Sequence, residues 1–268
     1  MTLKNGLSEE LNRQGNEHFG RGHYTEAYTC YAKALECDRL TGDQRALAAT
    51  LGNLGNICAV SGRREAAHSY YQKVLEVQKI FGDEKGIGTT LANLGNLRAD
   101  AGEWERARAY YLEALDLMMK TGDEAAKAVL FSDLGLVARE TMQFNDAIAY
   151  YERSLVLMRR LGNDGGVADA WRMLARTFLM QRRFDDAIAC CQTSQSVAER
   201  SRDELRTGGA RYVLADCYEA MGRLEDAAQL LERVVEMDRK YLLPKLEENT
   251  KRLQCLRERL SATSGGAA

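Results

Sequence analysis

A small residue returns every forty positions along this chain, at Gly15, Gly55, Gly95, Gly135, Ala175 and Ala215. Twelve residues after each stands an alanine, at Ala27, Ala67, Ala107, Ala147, Ala187 and Ala227. Four residues further comes a bulkier side chain, namely Tyr31, Tyr71, Tyr111, Tyr151, Cys191 and Leu231. Six copies in unbroken register leave few architectures open. A fixed period of this length marks stacked structural repeats, each too small to bury its own apolar face and therefore obliged to pack on its neighbours.

The content of each period is helical. In the second copy Gly42 is placed to end one helix in the left-handed conformation, and Asp43 to cap the next. Leu47, Leu51, Leu54 and Cys58 then recur at helical spacing. Ser61-Gly62-Arg63 interrupts the pattern before a second apolar run through Ala67, Tyr71, Val74 and Leu75. The connector returns as Thr121-Gly122-Asp123, Leu161-Gly162-Asn163 and Ser201-Arg202-Asp203, so each copy reads as two antiparallel helices, A and B. A single proline in 268 residues, Pro244, agrees with a nearly all-helical chain. Strand-built propeller blades and HEAT units do not fit this pattern.

This triplet of small residue, alanine and aromatic resembles the tetratricopeptide repeat family over about residues 8–240. The forty-residue period is longer than the usual repeat of about thirty-four. It is similar to the long-repeat subclass of the LGN/Pins adaptors and kinesin light chains, through Leu51-Gly52-Asn53-Leu54-Gly55-Asn56 and Leu91-Ala92-Asn93-Leu94-Gly95-Asn96. The resemblance implies an all-α, right-handed solenoid of six helix-turn-helix repeats within residues 1–243, at about 8–42, 43–82, 83–122, 123–162, 163–202 and 203–243. A further helix over 244–261 places Leu246, Leu253, Leu256 and Leu260 on one face, as a cap on the last hairpin or as a dimerisation helix. Residues 262–268 read as a disordered tail.

The bulk chemistry narrows the function. Thirty-seven Lys and Arg against thirty-nine Asp and Glu give a net charge of −2, so no global field draws the chain to nucleic acid or an anionic membrane. No apolar run is long enough for membrane insertion. The N-terminal MTLKNGLSEELNRQG lacks the marks of a secretory signal, and the seven cysteines show neither CxxC spacing nor an even number. These point to reduced structural thiols and a cytoplasmic location. The adjacent pair Cys190-Cys191 reads as packing rather than as a soft-metal or redox pair.

Catalytic residues, metal ligands and cofactor motifs are not found. His18, His23 and His68 lack partners at metal-ligand spacing, and there is no phosphate loop or nucleophile elbow. The resemblance instead implies a protein-binding scaffold or adaptor, with the A helices lining a concave groove that takes a partner peptide or helix. The inward positions would then be Asn12, Arg13 and Asn16; Asn53 and Asn56; Asn93 and Asn96; Ser132 and Asp133; Arg172 and Arg176; and Tyr212 and Asp216. Asparagines donate and accept, so a ladder of them can hold peptide backbone, or can bridge neighbouring A helices. Arg139, Arg172 and Arg176 could select a carboxylate, or pair internally with Asp133, Asp169 and Asp216. The clamp that grips heat-shock chaperone tails in some relatives would need cations at Asn12, Thr89 and Asn93, which are absent. A self-assembling scaffold, with the C-terminal helix as contact, is the alternative, and a peptide-sensing regulator is a weaker one.

Overall fold

The structure, a computed structural model, describes residues 2–265, with side chains over 6–262. Among these residues there are thirteen α-helices and no strand. The chain packs as two compact units, Met1–Leu130 and Phe131–Ala268. The first holds α1 (Thr2–Gly20), α2 (Tyr24–Thr41), α3 (Gln44–Val60), α4 (Arg64–Phe81), α5 (Glu84–Ala99), α6 (Trp104–Thr121) and the start of α7 (Glu124–Glu140). The second holds the rest of α7, then α8 (Phe144–Arg160), α9 (Asp164–Met180), α10 (Phe184–Arg200), α11 (Glu204–Ala220), α12 (Leu224–Tyr241) and α13 (Leu246–Gly265). From α1 to α6, and again from α8 to α13, each helix packs on its successor. Odd-numbered helices also touch one another, α1 on α3, α3 on α5 and α9 on α11. The A helices thus form a layer of their own within each unit, and the B helices pack behind it.

The reversals are set by local chemistry. One residue in left-handed conformation occurs every twenty positions from 22 to 242. Eight of these are glycines, and Met142, Arg182, Arg202 and Leu242 occupy the other four. At Gly62 the turn closes through Gly62 N–H to Ala59 O at 3.0 Å and Arg63 N–H to Cys58 O at 2.8 Å, the bond pair of a Schellman motif. The A helices then begin at carboxylate or amide caps. Asp43 Oδ1 accepts from Arg45 N–H and Ala46 N–H, both at 3.0 Å, and Asp83, Asp123, Asn163 and Asp203 act likewise. The described caps of the B helices (His23, Arg63, Glu103, Gln143, Arg183 and Arg223) make no side-chain cap bond.

The repeating triplet is the contact between A and B. A methyl group on Gly55, Gly95 or Gly135 would meet the ring of Tyr71, Tyr111 or Tyr151 at 2.6, 2.5 and 2.7 Å, and Gly15 faces Tyr31 in the same way. Only a bare backbone fits under those rings. The alanines at the middle position are fully buried in all six copies.

Leu253 and Leu256 of α13 are buried against Leu231, Val234 and Val235 of α12. Arg252 pins the helix further, pairing with Asp216 and Glu219, each at 2.7 Å. The leucine face that could serve as a cap or as a dimer contact is therefore filled from within the chain. α13 also continues through residues 262–265, where the sequence suggested a tail, while 266–268 lie outside the described residues. The reason is cooperative: adding a residue to an anchored helix is far easier than starting one. Ser261 Oγ adds a bond to Glu258 O at 2.8 Å.

Candidate functional site

The A-helix layer brings the expected residues together within each unit, with three different outcomes for the asparagines. Asn12 donates to Thr50 Oγ1 at 2.8 Å and to Ser8 O at 3.1 Å, and accepts from Asn53 Nδ2 at 3.0 Å. Those two asparagines therefore bridge α1 and α3. Asn16, Asn56 and Asn96 do something the sequence reading missed. Their Oδ1 atoms accept the hydroxyls of Tyr31, Tyr71 and Tyr111, at 2.7, 2.8 and 2.6 Å. This spends one acceptor position of each amide and leaves the Nδ2 donors unbonded among the described residues. The signal was present as an asparagine fifteen residues before each tyrosine. It fails in the fourth copy, where Leu136 stands at that place and the buried Tyr151 hydroxyl has no partner among the described residues. Asn93 keeps its whole amide uncommitted among the described residues.

Arg13 is exposed and paired along its own helix with Glu10, at 2.6 Å, and with Glu17. It adds a local charge pair rather than an open cation.

Asn53, Asn56 and Asn93 line a cleft of about 790 Å³ between α3, α4 and α5. Val74, Val77 and Phe81 line it too, and Arg45 stacks over the Phe81 ring at 5.2 Å. Lys85 at the edge is paired with Asp123 at 2.8 Å. The cleft thus combines apolar side chains with amides; of its charged side chains Lys85 is ion-paired, Asp83 caps α5 and Arg45 lies over the Phe81 ring. That chemistry suits the backbone of an extended polypeptide.

In the second unit the cations are unevenly available. Arg139 is buried and binds Glu140 at 2.8 Å, with Met173 Sδ at 3.5 Å, so it is not an open groove cation. Arg172 gives Nη2 to Asp169 at 2.9 Å, and Asp169 also receives Arg206 at 2.8 Å. Arg176 has neither hydrogen bond nor ion pair among the described residues, and its Nε is cut off from solvent. Asp133 likewise has no bonded partner among the described residues, and burial pushes its carboxyl up to about 7. Asp216 is bound to Arg252. Among the described residues no group of three or more His, Cys, Asp or Glu is placed to hold a metal ion. Cys190 and Cys191 pack in the core, where a hydrogen bond to Cys217 and burial hold the Cys191 thiol protonated.

A family profile described as tetratricopeptide repeat matches residues 11–80, 86–160, 126–190 and 166–240. The chain belongs to the tetratricopeptide repeat family. A comparison with curated protein sequences gave no match. Among solved structures, the tetratricopeptide chain is similar to a signal transduction ATPase with a tetratricopeptide repeat sensor from Pyrococcus horikoshii, with a TM-score of 0.75 and 15% identity over 92% of this chain. It is also similar to a Rap protein complexed with competence and sporulation factor, with a TM-score of 0.68 and 14% identity over 94% of the chain. A third is the Cut9–Hcn1 hetero-tetramer of the APC/C, at 0.69 and 16% over 94%. The chain spans 38%, 75% and 45% of those chains respectively. At such identities the likeness is one of fold. Among the described residues no helix is long and apolar enough to cross a membrane.

Proposed function

We propose that this tetratricopeptide protein is a non-catalytic adaptor, and that it holds an extended segment of a partner polypeptide against the A-helix face. The observation that carries this reading is the amide-lined cleft between α3, α4 and α5, with Asn93 unbonded at its wall. Each peptide hydrogen bond contributes about 0.5–1.5 kcal/mol net, so several amides in one row are needed for useful affinity. The complexes of similar fold support the reading, one with a signalling factor and one within a hetero-tetramer. The seven free cysteines support a reducing compartment such as the cytoplasm.

Asn93→Ala is the clean test, because the Asn93 side chain makes no hydrogen bond among the described residues, whereas Asn53 also ties α3 to α1. Partners captured by the wild-type chain should be depleted by Asn93→Ala combined with Thr89→Ala, at unchanged thermal stability. Full recovery of every partner by that folded variant would sink the assignment.

A further inference from the structure

A second cavity, of about 680 Å³, lies within the second unit between α10, α11 and α12, so that two of its walls are B helices. Four cations line it, Arg202, Arg211, Arg233 and Lys240. Two of them stand where the repeat elsewhere has a different kind of residue. Arg211 occupies the place that Leu51, Leu91 and Phe131 fill as buried apolar side chains in the second, third and fourth copies. Arg202 holds a φ of 56° in the connector, where Gly42, Gly82, Gly122 and Gly162 take the left-handed conformation in earlier copies. Thr207, also in the lining, replaces the apolar Leu47, Ile87 and Val167.

Each arginine costs the fold something. The Nε of Arg211 is cut off from solvent and has no acceptor among the described residues, which leaves a donor desolvated and unmet. A side chain at positive φ is strained where glycine is not. Random loss of the pattern at the end of a solenoid would scatter such departures, whereas these meet in one cavity, as functional exceptions do. The charges there favour an anion. Of the three carboxylates in the lining, Glu204 binds Lys240 at 2.6 Å and Glu199 holds Arg211 by one contact of 3.2 Å. The side chains of Arg202 and Arg233 form no hydrogen bond or ion pair among the described residues, against one uncommitted acid in the lining, Glu236.

We propose that this cavity binds a phosphate monoester, with the phosphate on Arg202, Arg211 and Arg233 and a hydrogen-bond donor of the organic part on Glu236. Such an ester carries about two negative charges at neutral pH and three acceptor oxygens, which suit several guanidinium forks at once. Ligand cavities usually run from about 300 to 1,000 Å³, so there is room for a sugar or a nucleoside beside the phosphate. Met237 offers that part an apolar wall. The same chemistry comes from two sources, a free sugar or nucleoside phosphate and a phosphorylated side chain of a polypeptide. The assignment does not rest on the cleft of the first unit.

The test is calorimetric titration of the full chain. The probes are glucose 6-phosphate and AMP, their parents glucose and adenosine, inorganic phosphate, and a pentapeptide with and without phosphate on its central serine. At least one ester should bind saturably, and its unphosphorylated parent about tenfold more weakly or worse. Arg211→Leu and Arg202→Gly restore the residues of earlier copies, so each should weaken the ester about tenfold at an equal or higher melting temperature. Saturation by a small ester identifies a free metabolite as the source, and saturation by the phosphopeptide alone identifies a modified partner. The proposal falls if no ester binds up to millimolar concentration, if ester and parent bind alike, if inorganic phosphate alone binds, or if both folded variants keep full affinity. Should Arg211→Leu fail to fold, Arg202→Gly and the ester–parent comparison on the wild type decide the matter. Loss of partner capture on changing Asn93 bears only on the adaptor reading and leaves this result untouched.

Discussion

Gly95 and Tyr111 approach so closely that a methyl group on the glycine would lie 2.5 Å from the ring. Gly95→Ala should therefore cost about 1–3 kcal/mol in thermal or urea unfolding, through the strain of overpacking. The chain contains its own rescue. Where the small residue is Ala175 or Ala215, the residue sixteen positions on is Cys191 or Leu231 instead of tyrosine. Gly95→Ala with Tyr111→Leu should recover part of the loss, and a double-mutant cycle would show a favourable coupling. Asp133 makes the opposite case, a residue its surroundings do not satisfy. Its folded-state value of about 7 lies above the unfolded value of about 3.9, so the folded chain binds more protons between those limits. Stability then falls as pH rises through that window. Asp133→Asn, which copies Asn53 and Asn93, should remove this slope and raise stability above pH 7 by about 1–3 kcal/mol, as read from unfolding midpoints across pH.

At the scale of the helix, the turns carry the regularity. Met142, Arg182, Arg202 and Leu242 hold positive φ where the other eight turns use glycine. An L-residue in that conformation costs about 1–2 kcal/mol. Met142 is 62% exposed, so Met142→Gly removes strain without removing packing and should raise the unfolding midpoint. At the other end of the turn, Asp203→Ala should lower stability by about 1 kcal/mol, since its Oδ1 accepts from Arg206 N–H at 2.9 Å. Helix identity, helix boundaries and the A–B contact were legible because glycine, aspartate and periodic alanine report backbone geometry directly. The left-handed turns at Met142 and Arg182 were not, because neither residue type favours that conformation. The partners of the asparagines were only half legible. A polar residue on an A helix does not declare whether it stays unbonded, binds a neighbouring A helix or binds its own tyrosine; among the described residues Asn93 does the first, Asn12 the second and Asn56 the third. Arg139 and Arg176 likewise look alike in sequence, and only packing separates a buried pair from an unpaired cation.

At the scale of the molecule, α13 belongs to the body of the second unit. Deleting residues 244–268 would expose Leu231, Val234 and Val235, and Leu256→Ala alone should cost about 2–5 kcal/mol. Light scattering on a chain with Leu256→Ala should give an unchanged mass alongside a lower melting point; a fall from dimer to monomer would instead return α13 to the role of a subunit contact. The fit between Gly95 and Tyr111 has a consequence for how such a chain can lengthen. Both halves of that match sit inside the same forty-residue copy, so duplicating a copy transmits the lock together with its key. A copy can also exchange both at once, as the last two have done, without asking its neighbours to change. Length can therefore drift by whole copies while the outward-facing positions on the A helices diversify independently.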